Sequence, residues 1–139
     1  MKVLQILLIL FAWHAEARSI ESQEEAIDKA AVDALKCSSP SDFDALFRLS
    51  ASGEVTGVHP SEQLSEVNEE VFLKCPLEFL LALNAQPEAT QASVVDLYFG
   101  IRHAPWELGA ELRKWKHHKK VGALVRTRFA AFLEAQAEQ

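Results

Sequence analysis

No apolar run in this 139-residue chain is long enough to cross a bilayer. A span takes roughly 20 consecutive apolar residues. The longest run, Val3 to Trp13, holds eleven residues and is interrupted by Gln5, and the densest later run, Leu77 to Leu83, is broken by Glu78. Strand-type alternation of useful length is missing as well, which excludes a sheet-based fold. There is no low-complexity tract and no convincing repeat. Cysteine is limited to Cys37 and Cys75, with no His three or four residues from either, so the ligand set of a structural zinc site is lacking. No Ser stands in a G-x-S-x-G elbow or another recognisable nucleophile setting. The carboxylate pairs Glu24-Glu25 and Glu69-Glu70 are adjacent on helices and read as solvent faces rather than an acid–base pair. A dispersed triad would leave no local motif, so a hydrolase with a dispersed site stays open as a third option.

A broad positive face is also missing. From Arg18 to Phe99 there are 5 basic and 15 acidic side chains, and from Gly100 to Gln139 there are 8 basic and 4 acidic. This acidic body with a basic end argues against general nucleic-acid binding. It suits electrostatic docking to a partner, and equally an attraction between the two halves of the molecule.

What is present begins with Met1 to Ala17. Lys2 precedes the apolar run Val3 to Trp13, which ends at Ala15-Glu16-Ala17, an A-x-A site with small residues where a signal peptidase needs them. This is the layout of a cleaved export signal. The expectation is a signal peptide over residues 1–17 and a mature domain over 18–139, periplasmic or secreted. No Cys follows the cleavage position, so a lipoprotein is not expected. A single domain of this length buries roughly two-thirds of its unfolded surface. In an exported chain an even cysteine count reads as one disulfide, Cys37–Cys75. An intermolecular bridge and two free buried thiols are the alternatives.

The periodicity from residue 20 onward is helical. Ser22-Gln23-Glu24-Glu25 has the S-x-x-E form of a capping box, followed by Ile27, Ala31, Ala34 and Leu35 on the face that also holds Ile20. Ser39-Pro40 resets the chain, with Ser39 as N-cap and Pro40 at the first helical position. Phe43, Leu46, Phe47 and Ser50 mark a second helix. Residues 51–60 are the longest loop expected, punctuated by Gly53, Gly57 and Pro60. Ser61 is the expected cap of a third helix, which ends or kinks at Pro76. Leu77 to Leu83 reads as a central helix, apolar on most sides. Pro87 and Pro105 open two more, and Val121 to Leu133 carries a strong stripe to the C-terminus. The spacing predicts an all-α, single-domain bundle of six or seven short helices. Alternating directions would end the first and third helices at one pole, and so bring Cys37 to Cys75.

Binding is the chemistry this pattern offers. The candidate residues are Glu54 and His59 in the long loop, and Glu62, Glu66, Glu69 and Glu70 on the third helix. His103 and Trp106 stand around a helix-opening Pro, where an exposed Trp is a favoured interface anchor. The plainer alternative is that Trp106 packs onto the bundle. The run Arg113-Lys114-Trp115-Lys116-His117-His118-Lys119-Lys120 offers Arg113, Lys116, His117 and His118 as an anion or acidic-partner site, or simply a solvated turn with Trp115 inward. His117 and His118 are neighbours and point about 100° apart on a helix, which makes them poor joint ligands. No metal or other cofactor is expected. A second class of reading is an exported helical protein binding a lipid or other apolar ligand in a cavity lined by Phe72, Phe79, Leu80, Tyr98 and Phe99. Those side chains would otherwise fill the core.

As a layout, the export signal, the two cysteines and the helical periodicity resemble the small periplasmic immunity proteins that neutralise type VI secretion amidase effectors (Tai/Rap type). The resemblance covers the whole of 18–139 as architecture and carries no residue-level motif, so it assigns no functional residue. It implies a binding protein without catalysis, a secreted toxin enzyme as partner, and room for a homodimer.

Overall fold

The computed structural model describes residues 20–137; the expected export signal lies outside them. Among the described residues the fold is all-α with no strand. Residues 20–34 are helical (α1). A 3-10 turn, Pro40–Phe43, leads into α2 (Asp44–Ser52), followed by α3 (Val58–Lys74), α4 (Pro76–Asn84) and α5 (Glu88–Ala92). α5 passes directly into a π-helical turn, Ser93–Leu97. α6 (Pro105–Trp115), α7 (Gly122–Arg128) and α8 (Ala130–Ala137) complete the chain. None of the described helices is long and apolar enough to cross a membrane.

The expected punctuation is largely where the chain bends. Pro40 and Pro76 occupy first-turn positions, where a missing N–H costs nothing, and Pro87 is the N-cap of α5. Asp42 accepts hydrogen bonds from Ser38 N, Ser38 Oγ and Ser39 N (2.8, 2.7 and 2.9 Å) and so ties down the entry to the 3-10 turn. Three boundaries differ from expectation. α1 already includes residue 20, upstream of the Ser22 box. α3 starts at Val58, not after Ser61, because Gly57 takes φ +89° and Pro60 sits in the first turn, whose amides need no helical acceptor. The long loop is therefore only Gly53–Gly57, and His59 is helical. The C-terminal stripe breaks at Phe129 into α7 and α8, giving eight α-helices where six or seven were expected.

Cys37 and Cys75 form the expected intramolecular disulfide, with Cα atoms 6.2 Å apart. They lie just past the ends of α1 and α3, so the two helices do finish at one pole. Lys74 Nζ donates to Leu35 O (2.8 Å) at the same end. Closing this loop is worth about 4 kcal/mol of chain entropy.

The core is aromatic and continuous. Phe43, Phe47, Phe72, Phe79 and Phe129 are fully buried. Ring contacts run from Phe47 to Phe79 (5.3 Å), to Phe72 (5.7 Å), to Phe99 (5.4 Å) and on to Phe129 and Phe132 (5.2 and 5.4 Å), mostly edge to face. The side chains considered as cavity lining, Phe72, Phe79, Leu80, Tyr98 and Phe99, are all core side chains here. The break at Phe129 seats both Phe129 and Phe132 on Phe99.

Candidate functional site

α3 supplies a buried carboxylate. Glu69 is 0% exposed, whereas its neighbour Glu70 faces solvent, so the expectation that this pair forms a solvent face holds for only one of them. Glu69 lies one turn on from buried Ser65, at the margin of the stripe formed by Leu64, Val67, Asn68, Val71 and Phe72. An uncompensated buried carboxylate is costly. This one is compensated by the segment between the π turn and α6. Ile101 N donates to Oε1 (2.6 Å), Arg102 N reaches both oxygens (3.1 Å each), and His103 N donates to Oε2. His103 Nδ1 also meets Oε2 at 2.8 Å. Against an ionised carboxylate, which only accepts, Nδ1 is the donor in this contact.

Three successive backbone amides can converge on one carboxylate only if the chain turns sharply just before them. Gly100 makes that turn at φ +83°, and a Cβ there would come within 2.5 Å of Phe132 Cε2. Both the conformation and the close approach require glycine. The π turn contributes upstream. Its wider spacing shifts the helical register, so Val94 and Val95 are buried, Leu97 turns outward at 57% exposure, and Tyr98 and Phe99 return to the core.

The outcome is a fixed segment with outward apolar side chains. Leu97, Ile101 and Trp106 are 57%, 55% and 67% exposed and fall within ten residues of chain. Trp106 therefore does not pack onto the bundle. Arg102 lies between Glu62 and Glu66 of α3, with Nη1 3.6 Å from Glu62 Oε2 and Nε 4.0 Å from Glu66 Oε2. Both pairs are half-exposed and long, so each contributes little. Of the expected binding residues, the fold thus gathers Glu62, Glu66, Glu69 and His103, with Trp106 exposed three residues further along the chain and Glu70 exposed further along α3.

The others lie apart. Glu54 is exposed in the Gly53–Gly57 loop, its N–H bonded to Ser52 Oγ (3.0 Å). His59 is exposed on the first turn of α3, with Nδ1 3.1 Å from Glu24 Oε1 of α1. The basic run is divided. His117 is exposed, His118 lies edge-on to Trp115 (5.6 Å), and Arg113 and Lys116 border a groove beside α8. Trp115 is half-buried, with Nε1 donating to Glu111 (3.1 Å). Among the described residues no group of three or more His, Cys, Asp or Glu is placed to hold a metal ion. Sequence reading missed Gly100, Ile101 and Arg102. The available signal was Gly100 itself, a glycine directly after an aromatic stripe and ahead of a helix-opening Pro.

The geometry presents three exposed apolar side chains, Leu97, Ile101 and Trp106, along and just beyond a hydrogen-bonded loop whose Arg102 reaches the acidic face of α3. Comparison with family models, with curated proteins and with solved structures gives no match.

Proposed function

We propose that this chain is an exported protein-binding module that docks a basic protein surface through the segment from Leu97 to Trp106. The observation that carries the reading is the Glu69 clamp. A buried carboxylate accepts from four N–H groups of one short segment and so fixes the backbone that carries exposed Ile101 and leads into Trp106. Preorganised aromatic anchors bind well because little entropy is lost on docking. The acidic side chains on α3, and a body whose net charge is −10 from Arg18 to Phe99, favour a basic partner. In its layout the chain resembles periplasmic immunity proteins, and the corresponding partner is a secreted toxin enzyme whose cleft this segment blocks.

The test is a binding and inhibition assay against the enzyme encoded by the neighbouring gene. Stoichiometric binding with loss of enzyme activity supports the reading. A neighbour that is not a toxin-like enzyme, with nothing co-purifying, removes the immunity reading.

A further inference from the structure

The last helix is unusual in what it leaves uncovered. α8 is mainly Ala, Phe and Leu, yet none of its residues is fully buried. It rests on α6 near Gly109, where an added Cβ would lie 3.4 Å from Gln136 Cγ. Between α6, α7 and α8 runs an open groove of about 590 Å³. Its floor is Ala130, Leu133 and Ala137, one stripe of α8. Its rim carries Arg113, Lys116 and Arg126. Arg126 is held in place by donating through Nη1 to Lys116 O, and among the described residues its other N–H groups have no acceptor. Arg113 and Lys116 have no carboxylate within ion-pair distance among the described residues. Among the described residues Glu134 is the one acidic side chain lining the groove.

We infer that this groove binds a single-chain anionic amphiphile, a long-chain carboxylate, at a site separate from the Leu97–Trp106 face. The head group meets guanidinium and ammonium donors in charge-assisted hydrogen bonds, and the chain covers the apolar stripe of α8. The size suits a small ligand. The volume falls within the roughly 300–1,000 Å³ of small-molecule sites. The sign of the rim charge selects the head group, because among the described lining residues three cations face Glu134 alone.

Calorimetric titration of the whole protein with sodium dodecanoate, below its micelle-forming concentration, tests the inference. The expected result is one molecule bound per chain, with acetate and dodecyltrimethylammonium each at least tenfold weaker. The double variant Arg113→Ala/Lys116→Ala loses at least tenfold in dodecanoate affinity, while Trp106→Ala binds it like the parent. Ala137→Glu, an exposed change that leaves the rim intact, also weakens dodecanoate. Absence of dodecanoate binding overturns the inference. So does equal binding of acetate or of the cationic amphiphile, or an unaffected double variant with melting temperature unchanged.

Discussion

Replacing Glu69 by Gln removes the charge with almost no change of shape. The carboxylate takes N–H donors from Ile101 on one oxygen, from Arg102 on both, and from His103 N and Nδ1 on the other. A glutamine keeps one acceptor oxygen and turns an NH₂ group toward the remaining N–H groups. With the amide oxygen toward Ile101, the two His103 bonds are lost and donors oppose donors. Each bond to a charged group contributes about 1.5–3 kcal/mol. Removing the buried charge recovers part of this through lower desolvation, so the net cost is about 2–4 kcal/mol. For a domain of this size that lowers the melting temperature by on the order of 10 °C. Chemical denaturation gives the free energy, and amide NMR reports on residues 100–104, whose signals should broaden or shift. A Gln variant within about 0.5 kcal/mol of the parent, with those amide signals unmoved, would refute the clamp.

Other consequences follow from the same geometry. Gly100→Ala meets both φ +83° and Phe132 at 2.5 Å, so it should cost about 2–4 kcal/mol from backbone strain and overpacking, measured by urea unfolding. Trp106→Ala removes a side chain that is 67% exposed and should leave stability within about 0.5 kcal/mol by thermal melt. Reducing Cys37–Cys75 should lower unfolding free energy by about 3–4 kcal/mol, read as a shifted denaturation midpoint with and without reductant. Hydrogen bonds from the Ser38 hydroxyl and the Ser38 and Ser39 amides hold the Asp42 carboxyl down at about 2, against an ordinary 3.8. Because the folded value is the lower one, its contribution is complete above about pH 4 and disappears as pH falls toward 2. Carboxyl NMR titration checks the value, and Asp42→Asn should flatten the stability profile across that window.

The helical class and the disulfide were legible because both rest on local signals that the tertiary structure did not override. Apolar spacing marked the helices, Pro40, Pro76 and Pro87 marked their starts, and two cysteines at helix ends could meet only at a common pole. The boundaries that moved depended on glycine conformation. Gly57 at φ +89° starts α3 earlier than the Ser61 cap suggested, and Pro60 is tolerated within its first turn. The candidate site was legible only in pieces. Trp106, His103, Glu62 and Glu66 stood out as residue types, but nothing in the pattern said that a loop more than thirty residues downstream would deliver three amides to Glu69. A π turn has no periodic signature either, so the outward rotation of Leu97 was not readable from a stripe that assumed 3.6 residues per turn.

Whether the clamped segment is a protein-docking face is the central question. The most direct measurement is calorimetric titration of the neighbouring gene's enzyme with the parent chain and with Trp106→Ala. Tight one-to-one binding by the parent is expected. The variant should lose at least about 2 kcal/mol, roughly thirtyfold in affinity, with its melting temperature unchanged. Equal affinity for the two proteins, or no binding by the parent, would show that the segment is not the docking face.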